Sequence, residues 1–189
     1  GAILQDLHKP EEALTCYKDA LGLDPNRTSV RYSLGRLYDR VGRSVDALEC
    51  FQKIVERDPT NVEVLYDQGV VMHKLNMDLE ALSAFDRIIK IHGTNGRAFS
   101  GKAVVHTALG QYEQAIRCLD ESVRLQGNNY QDWYIRGKIN LQRNDWVKAV
   151  TCFDHAIDKG AGNDPRVWLE RAQALSEMGS HGKVYESVL

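Results

Sequence analysis

Apolar positions along the chain recur at helical spacing. Leu34, Leu37, Tyr38 and Val41 form one set, and Ala47, Phe51, Ile54 and Val55 form the next. Each set makes a single stripe on a helix of about 3.6 residues per turn, where a strand would need strict alternation. The stripes are interrupted by Gly42, and at matching places further on by Asn76, Gly110 and Asn144. Glycine and asparagine tolerate the left-handed conformation that closes a helix C-terminus. Between successive pairs of stripes stand "DPNR", "DPTN" and "GNN", stretches suited to a turn that starts the next helix. The pattern predicts pairs of antiparallel helices with tight connections.

The pairs repeat. Pro25 and Pro59 are 34 residues apart, and aligning the chain on itself at that interval superposes most of it. Gly1, Gly35, Gly69, Ala103 and Gly137 share one place; Ala13, Ala47, Ala81, Ala115 and Ala149 share another. Tyr17, Phe51, Phe85, Leu119 and Phe153 follow, and then Ala20, Ile54, Ile88, Ser122 and Ala156. The small residues let two helices approach closely, while the large one fills the space between neighbouring pairs.

Leu34, Gly35, Tyr38, Ala47, Phe51 and Pro59 make residues 28–61 resemble the tetratricopeptide repeat, a unit of about 34 residues with those anchors. Trp133, Gly137, Ala149 and Phe153 carry the resemblance in residues 130–163; Trp168, Ala172, Gly179 and Val184 carry it in the final partial unit. Some anchors depart from the pattern. Gln68 and Met72 stand where Leu and Tyr are usual; Ala103, His106 and Leu119 stand for Gly, Tyr and Phe; Gly93 and Gly127 replace Pro. One extra residue near "GAGNDP" shifts the last copy. The resemblance implies an all-α fold, a right-handed superhelical solenoid of antiparallel helix pairs. It would be one array over 1–189: a partial repeat 1–27, repeats 28–61, 62–95, 96–129 and 130–163, and a partial repeat 164–189. On this register Gly1 and Leu189 both fall inside a repeat with no polar capping helix. A fragment of a longer array is therefore expected, with self-association through uncapped ends a further expectation.

In this family first helices line a concave groove that holds a peptide or partner helix. The resemblance then assigns Tyr32, Arg36, Asp39 and Arg40 to the groove, followed by Glu63, Tyr66, Val70, His73 and Lys74. Arg97, Ser100, Val104 and Thr107 come next, and then Gln131, Tyr134, Lys138 and Leu141. Tyr32, Tyr66 and Tyr134 at one repeat place, with cations nearby, imply an amphipathic, mildly basic channel; Tyr and Arg often dominate binding energy. The plainer alternative is that these tyrosines only pack against adjacent helices. The Lys and Asn cluster of chaperone-tail binders is missing, since the corresponding places hold Tyr32/Arg36, Tyr66/Val70 and Ser100/Val104. So is the asparagine ladder of sugar-transferase arrays, where Ser33, Asp67, Gly101 and Ile135 stand. The expected function is a non-enzymatic interaction scaffold with a protein or peptide partner. The alternatives are a structural assembly segment, or the targeting arm of an enzyme whose chemistry lies outside these residues.

Composition changes little. The chain is 43% hydrophobic and 26% charged, with a formal net charge of -2, a balance that argues against nucleic-acid and anionic-membrane partners. No apolar run reaches the roughly 18–20 residues of a membrane span, and "GAILQDLHKP" does not read as a signal peptide. An RNA-binding helical-hairpin repeat is disfavoured by the Gly–Tyr–Ala–Phe–Pro anchors. No catalytic, cofactor or metal site is expected. "GRAFSGKA" at 96–103 nearly spells a phosphate loop, but Ala103 replaces the magnesium-binding hydroxyl and no strand precedes it. No pair among His8, His73, His92, His106, His155 and His181 has metal-ligand spacing. His106 is expected to be packed and hydrogen-bonded, and His73 to decorate the surface or touch the groove. "NRT" at 26–28 fits a glycosylation sequon, a motif short enough to occur by chance. Cys16, Cys50, Cys118 and Cys152 occupy one repeat place, which spreads them along the array. That spacing suits neither a disulfide nor one tetrahedral metal site, so four small, apolar, reduced helix residues in a cytoplasmic compartment are expected.

Overall fold

The computed structural model describes residues 10–126 and 129–186, with backbone alone for Gln126 and for 180–186. Gly1, His8, Gly127 and Leu189 lie outside the described residues, as do the side chains of His181 and Val184. The described residues are all-α and fall into two compact units divided after Gly93.

The first unit holds α1 (Pro10–Leu23), α2 (Thr28–Arg40), α3 (Ser44–Val55), α4 (Val62–Lys74) and α5 (Asp78–Ile91). Each helix packs on the next, and α2 also meets α4, so first helices stack on first helices. The second unit holds α6 (Gly96–Ala108), α7 (Tyr112–Gln126), α8 (Tyr130–Gln142), α9 (Trp146–Asp158) and α10 (Pro165–Glu186), with a 3-10 turn at Ala161–Asn163. Within it α6 meets α8 and α8 meets α10 by the same scheme.

The turns inside the pairs are those the sequence marked. Gly42, Asn76, Gly110 and Asn144 all have φ between 59° and 80°. One residue on, the amides of Arg43, Met77, Gln111 and Asp145 donate to the carbonyls of Tyr38, Met72, His106 and Asn140 at 2.8–2.9 Å. That six-residue closure satisfies carbonyls that the ending helix leaves free. Between pairs, Asn61, Asn95 and Asn129 cap α4, α6 and α8 through side-chain oxygens that accept from Val64, Ala98 and Asp132 amides. The Asp-Pro pairs form local turns, in which Asp24, Asp58 and Asp164 accept from the amide two residues later.

Packing follows the repeat. Phe51, Phe85 and Phe153 are fully buried, and their rings lie against Gly35, Gly69 and Gly137 on the first helix of the same pair. A Cβ at position 35 would stand 2.7 Å from the Phe51 ring, inside contact distance. In the repeat where this glycine is Ala103, the aromatic is Leu119, also buried. The two departures noticed in the sequence are therefore one compensated change.

The final partial unit departs from expectation. Gly179 stands where Gly42, Asn76, Gly110 and Asn144 close the earlier first helices, yet α10 runs unbroken from Pro165 to Glu186. A glycine permits a left-handed residue without compelling one. The following second-helix anchors are weak: Val184 and Val188 stand where Ala149 and Phe153 stand one repeat earlier. The extra residue before α10 is absorbed by the 3-10 turn, entered through Gly160 at φ 113°.

Candidate functional site

In the first unit, α2 and α4 together line a cavity of about 610 Å³. Residues 32, 33, 36, 39 and 40 fall on one face of α2, as three- and four-residue spacing requires. They bring Tyr32, Ser33, Arg36, Asp39 and Arg40 to the cavity; α4 contributes Asp67, Val70 and Lys74, and Phe51 of α3 lies beneath. Six of the residues assigned to a groove from sequence are thus gathered there: Tyr32, Arg36, Asp39, Arg40, Val70 and Lys74.

Two residue pairs tie the helices across the cavity, each 35 residues apart. Tyr32 Oη donates to Asp67 Oδ2 at 2.8 Å, and Lys74 Nζ donates to both oxygens of Asp39 at 2.7 and 2.8 Å. Burial, then the carboxylates of Asp67 and Glu63, push the Tyr32 phenol well above its ordinary range, so it remains a donor. Its ring packs on Phe51 at 6.0 Å. The tyrosine therefore packs on Phe51 and bonds Asp67 while bordering the cavity. Arg36 Nε stands 4.0 Å from Asp67, with 63% of the side chain exposed. Arg40 is exposed, and no carboxylate among the described residues pairs with it.

Glu63 stands beside Tyr32, and other assigned residues are elsewhere. Tyr66 is half-buried with its ring 5.5 Å from Phe85 and does not line this cavity. His73 Nδ1 lies 2.6 Å from Asp78 Oδ1, which fastens the end of α4 to the start of α5. In the second unit, Arg97 is exposed in the first turn of α6. Tyr134 packs on Phe153 at 6.1 Å with Lys138 over its ring at 5.8 Å. Lys138 and Leu141 line a smaller cleft of about 310 Å³ with Trp146, Glu170 and Gln173.

Two polar residues assigned to the groove are buried instead, as is the apolar Leu141. Thr107 turns its hydroxyl back to the Ala103 carbonyl at 2.7 Å. Ser100, which takes the place of the groove tyrosine, enters a polar cluster with Ser122 and Asp132. Ser100 Oγ donates to Asp132 Oδ1 at 2.6 Å, Ser122 Oγ to Oδ2 at 2.9 Å, and the Asn129 amide to Oδ2 at 3.1 Å. Asp132 and Ser122 have no exposed surface. The clue was in the alignment, where three apolar places turn polar together: Ser100 opposite Tyr66, Ser122 opposite Ile88, and Asp132 opposite Ala98. Asp67 and Ser33 were likewise visible, as one repeat place considered only for an asparagine ladder.

The other chemical candidates resolve simply. Residues 96–103 are helical from the outset of α6, so they form no loop. His106 is half-buried and bonded to Gln111 Oε1 at 2.7 Å. The four cysteines are free thiols. Cys50 and Cys152 are buried, whereas Cys16 is exposed and Cys118 is half-buried. Among the described residues no group of His, Cys, Asp and Glu is placed to hold a metal ion, and no helix is long and apolar enough to cross a membrane.

Two tetratricopeptide repeat family models match residues 4–67 and 101–165, together more than half of the chain. A comparison with curated protein sequences finds no match. Among solved structures, the chain is similar to PilW, a type IV pilus biogenesis factor, at 18% identity and TM-score 0.81, covering 98% of this chain and 86% of that one. It is similar to a thermophilic repeat protein of Thermus thermophilus at 19% identity and TM-score 0.76, covering 93% and 95%. It is also similar to MamA at 22% identity and TM-score 0.70, covering 85% and 94%. At such identities the likeness speaks for the fold alone. The residue pattern, the paired helices and both family models agree: the chain belongs to the tetratricopeptide repeat family.

Proposed function

We propose that the chain is a non-catalytic scaffold that holds a peptide or partner helix in the cavity between α2 and α4. Protein–protein interaction is the general role of tetratricopeptide repeats. The observation that carries the finer reading is the gathering of Tyr32, Arg36, Arg40 and Val70 around one cavity whose walls are cross-bonded by Tyr32–Asp67 and Asp39–Lys74. Walls fixed in advance reduce the ordering that binding must otherwise impose. Four free thiols fit a reducing compartment such as the cytoplasm.

The test is affinity capture with the wild type beside a Val70→Arg variant, which fills the cavity with a charged side chain. Captured proteins should be lost from the variant while its melting curve stays within a few degrees of wild type. Recovery of the same partners by both proteins overturns the reading. If the chain then also sediments as a concentration-dependent oligomer, the role shifts to assembly. That alternative has support in the exposed Trp168, Leu169, Leu175 and Met178 of α10.

A further inference from the structure

We infer that the partner presents an acidic side chain, Asp or Glu, to Arg36 and Arg40, with an apolar residue beside it against Val70 and Tyr32. The inference rests on the cavity reading and adds the chemistry of the occupant. Its basis is which charges in the cavity are already committed. Among its lining residues three cations face two carboxylates, with Glu63 beside Tyr32, in a chain whose formal net charge is -2. Asp39 is held by both of its oxygens on Lys74. Asp67 accepts from the Tyr32 hydroxyl and has only a 4.0 Å approach from Arg36. The two lining carboxylates are therefore engaged from within, while Arg40 and the exposed Arg36, which lies over the Tyr32 ring at 5.7 Å, keep guanidinium donors unused among the described residues. One helical turn separates them on α2, so both can reach a single carboxylate. Arginine suits that task because its planar fork offers several donors at fixed geometry. A basic segment would meet the same two arginines and find its natural counter-charges already occupied. The apolar part of the motif follows from Val70 and the Tyr32–Phe51 pair bordering the same cavity.

The test pans a random-sequence peptide library displayed on phage against the whole chain. Selected peptides are made synthetically, together with versions in which each Asp or Glu becomes Asn or Gln. The expected result is enrichment of acidic residues next to an apolar one. Binding should weaken about three- to twenty-fold for Arg36→Gln/Arg40→Gln, for the amidated peptides, or on raising the salt. The two arginines are exposed, so the double variant should fold as the wild type does, which circular dichroism checks. Peptides that lose binding to Val70→Arg but show no acidic preference overturn this inference and leave the cavity reading standing. Peptides insensitive to Val70→Arg, or none selected at all, overturn both.

Discussion

Asp132 is a carboxylate with no exposed surface, held by two serine hydroxyls and one amide. At the third position of α8 it also favours the positive end of that helix, and its own amide donates to Asn129, a reciprocal arrangement related to the capping box. Such a network is stable only while every member is satisfied. Asp132→Val should therefore destabilise the chain by about 2–4 kcal/mol, since it strands two buried hydroxyls and a cap. Adding Ser100→Ala and Ser122→Ala should return most of that loss, because apolar replacement of a whole buried network is often neutral. Equal melting temperatures for the single and triple variants would count against the account. Cys50 yields a pH prediction. Burial raises its thiol from the ordinary 9.0 to about 11. Folding thus favours the protonated thiol, and this contribution is complete below about pH 9 and lost as pH rises through about 11. Thiolate absorbance followed in the folded protein should show Cys50 ionising near that upper value, and a Cys50→Ala variant should lack the step. At neutral pH, the exposed Cys16 should react with a thiol reagent well before the buried pair.

At the scale of the helix, close approach is governed by one pair of residues per repeat. Gly35→Ala forces a methyl against the Phe51 ring and Cys50, which should cost about 1–3 kcal/mol as overpacking, partly offset by about 1 kcal/mol of helix propensity. The repeat carrying Ala103 with Leu119 shows how the chain already accommodates that methyl. Gly35→Ala with Phe51→Leu should accordingly be more stable than the sum of the two single changes, by about 1 kcal/mol in a double-mutant cycle of chemical melts. Additive effects would mean that the ring and the glycine are not coupled.

Over the whole molecule, periodic features were the legible ones. The helix pairs, the left-handed residues at 42, 76, 110 and 144, and the face of α2 that meets the cavity all recur at one interval, so each copy corroborates the others. Individual contacts were not legible. Nothing periodic announces that His73 would bond Asp78 across a turn, or that Thr107 would bond its own helix. The unbroken α10 shows the limit from the other side, since a glycine at the matching place does not by itself end a helix. The Asp39–Lys74 and Tyr32–Asp67 bonds lie between, with the places visible in the alignment and the pairing visible only in three dimensions.

The buried cluster of Ser100, Ser122 and Asp132 bears on how such a chain can change over generations. Tandem copies are prone to recombine, and apolar or exposed polar contacts between units tolerate the exchange of one copy for another. The helix bearing Asp132 is an exception, because its carboxylate needs the two serines supplied by residues 96–129. Placed after any other described repeat it would face Tyr32 with Ile54, Tyr66 with Ile88, or Tyr134 with Ala156, and find no pair of serine hydroxyls at those places. Duplication or shuffling that separates these two units should therefore cost stability, which couples their order along the chain.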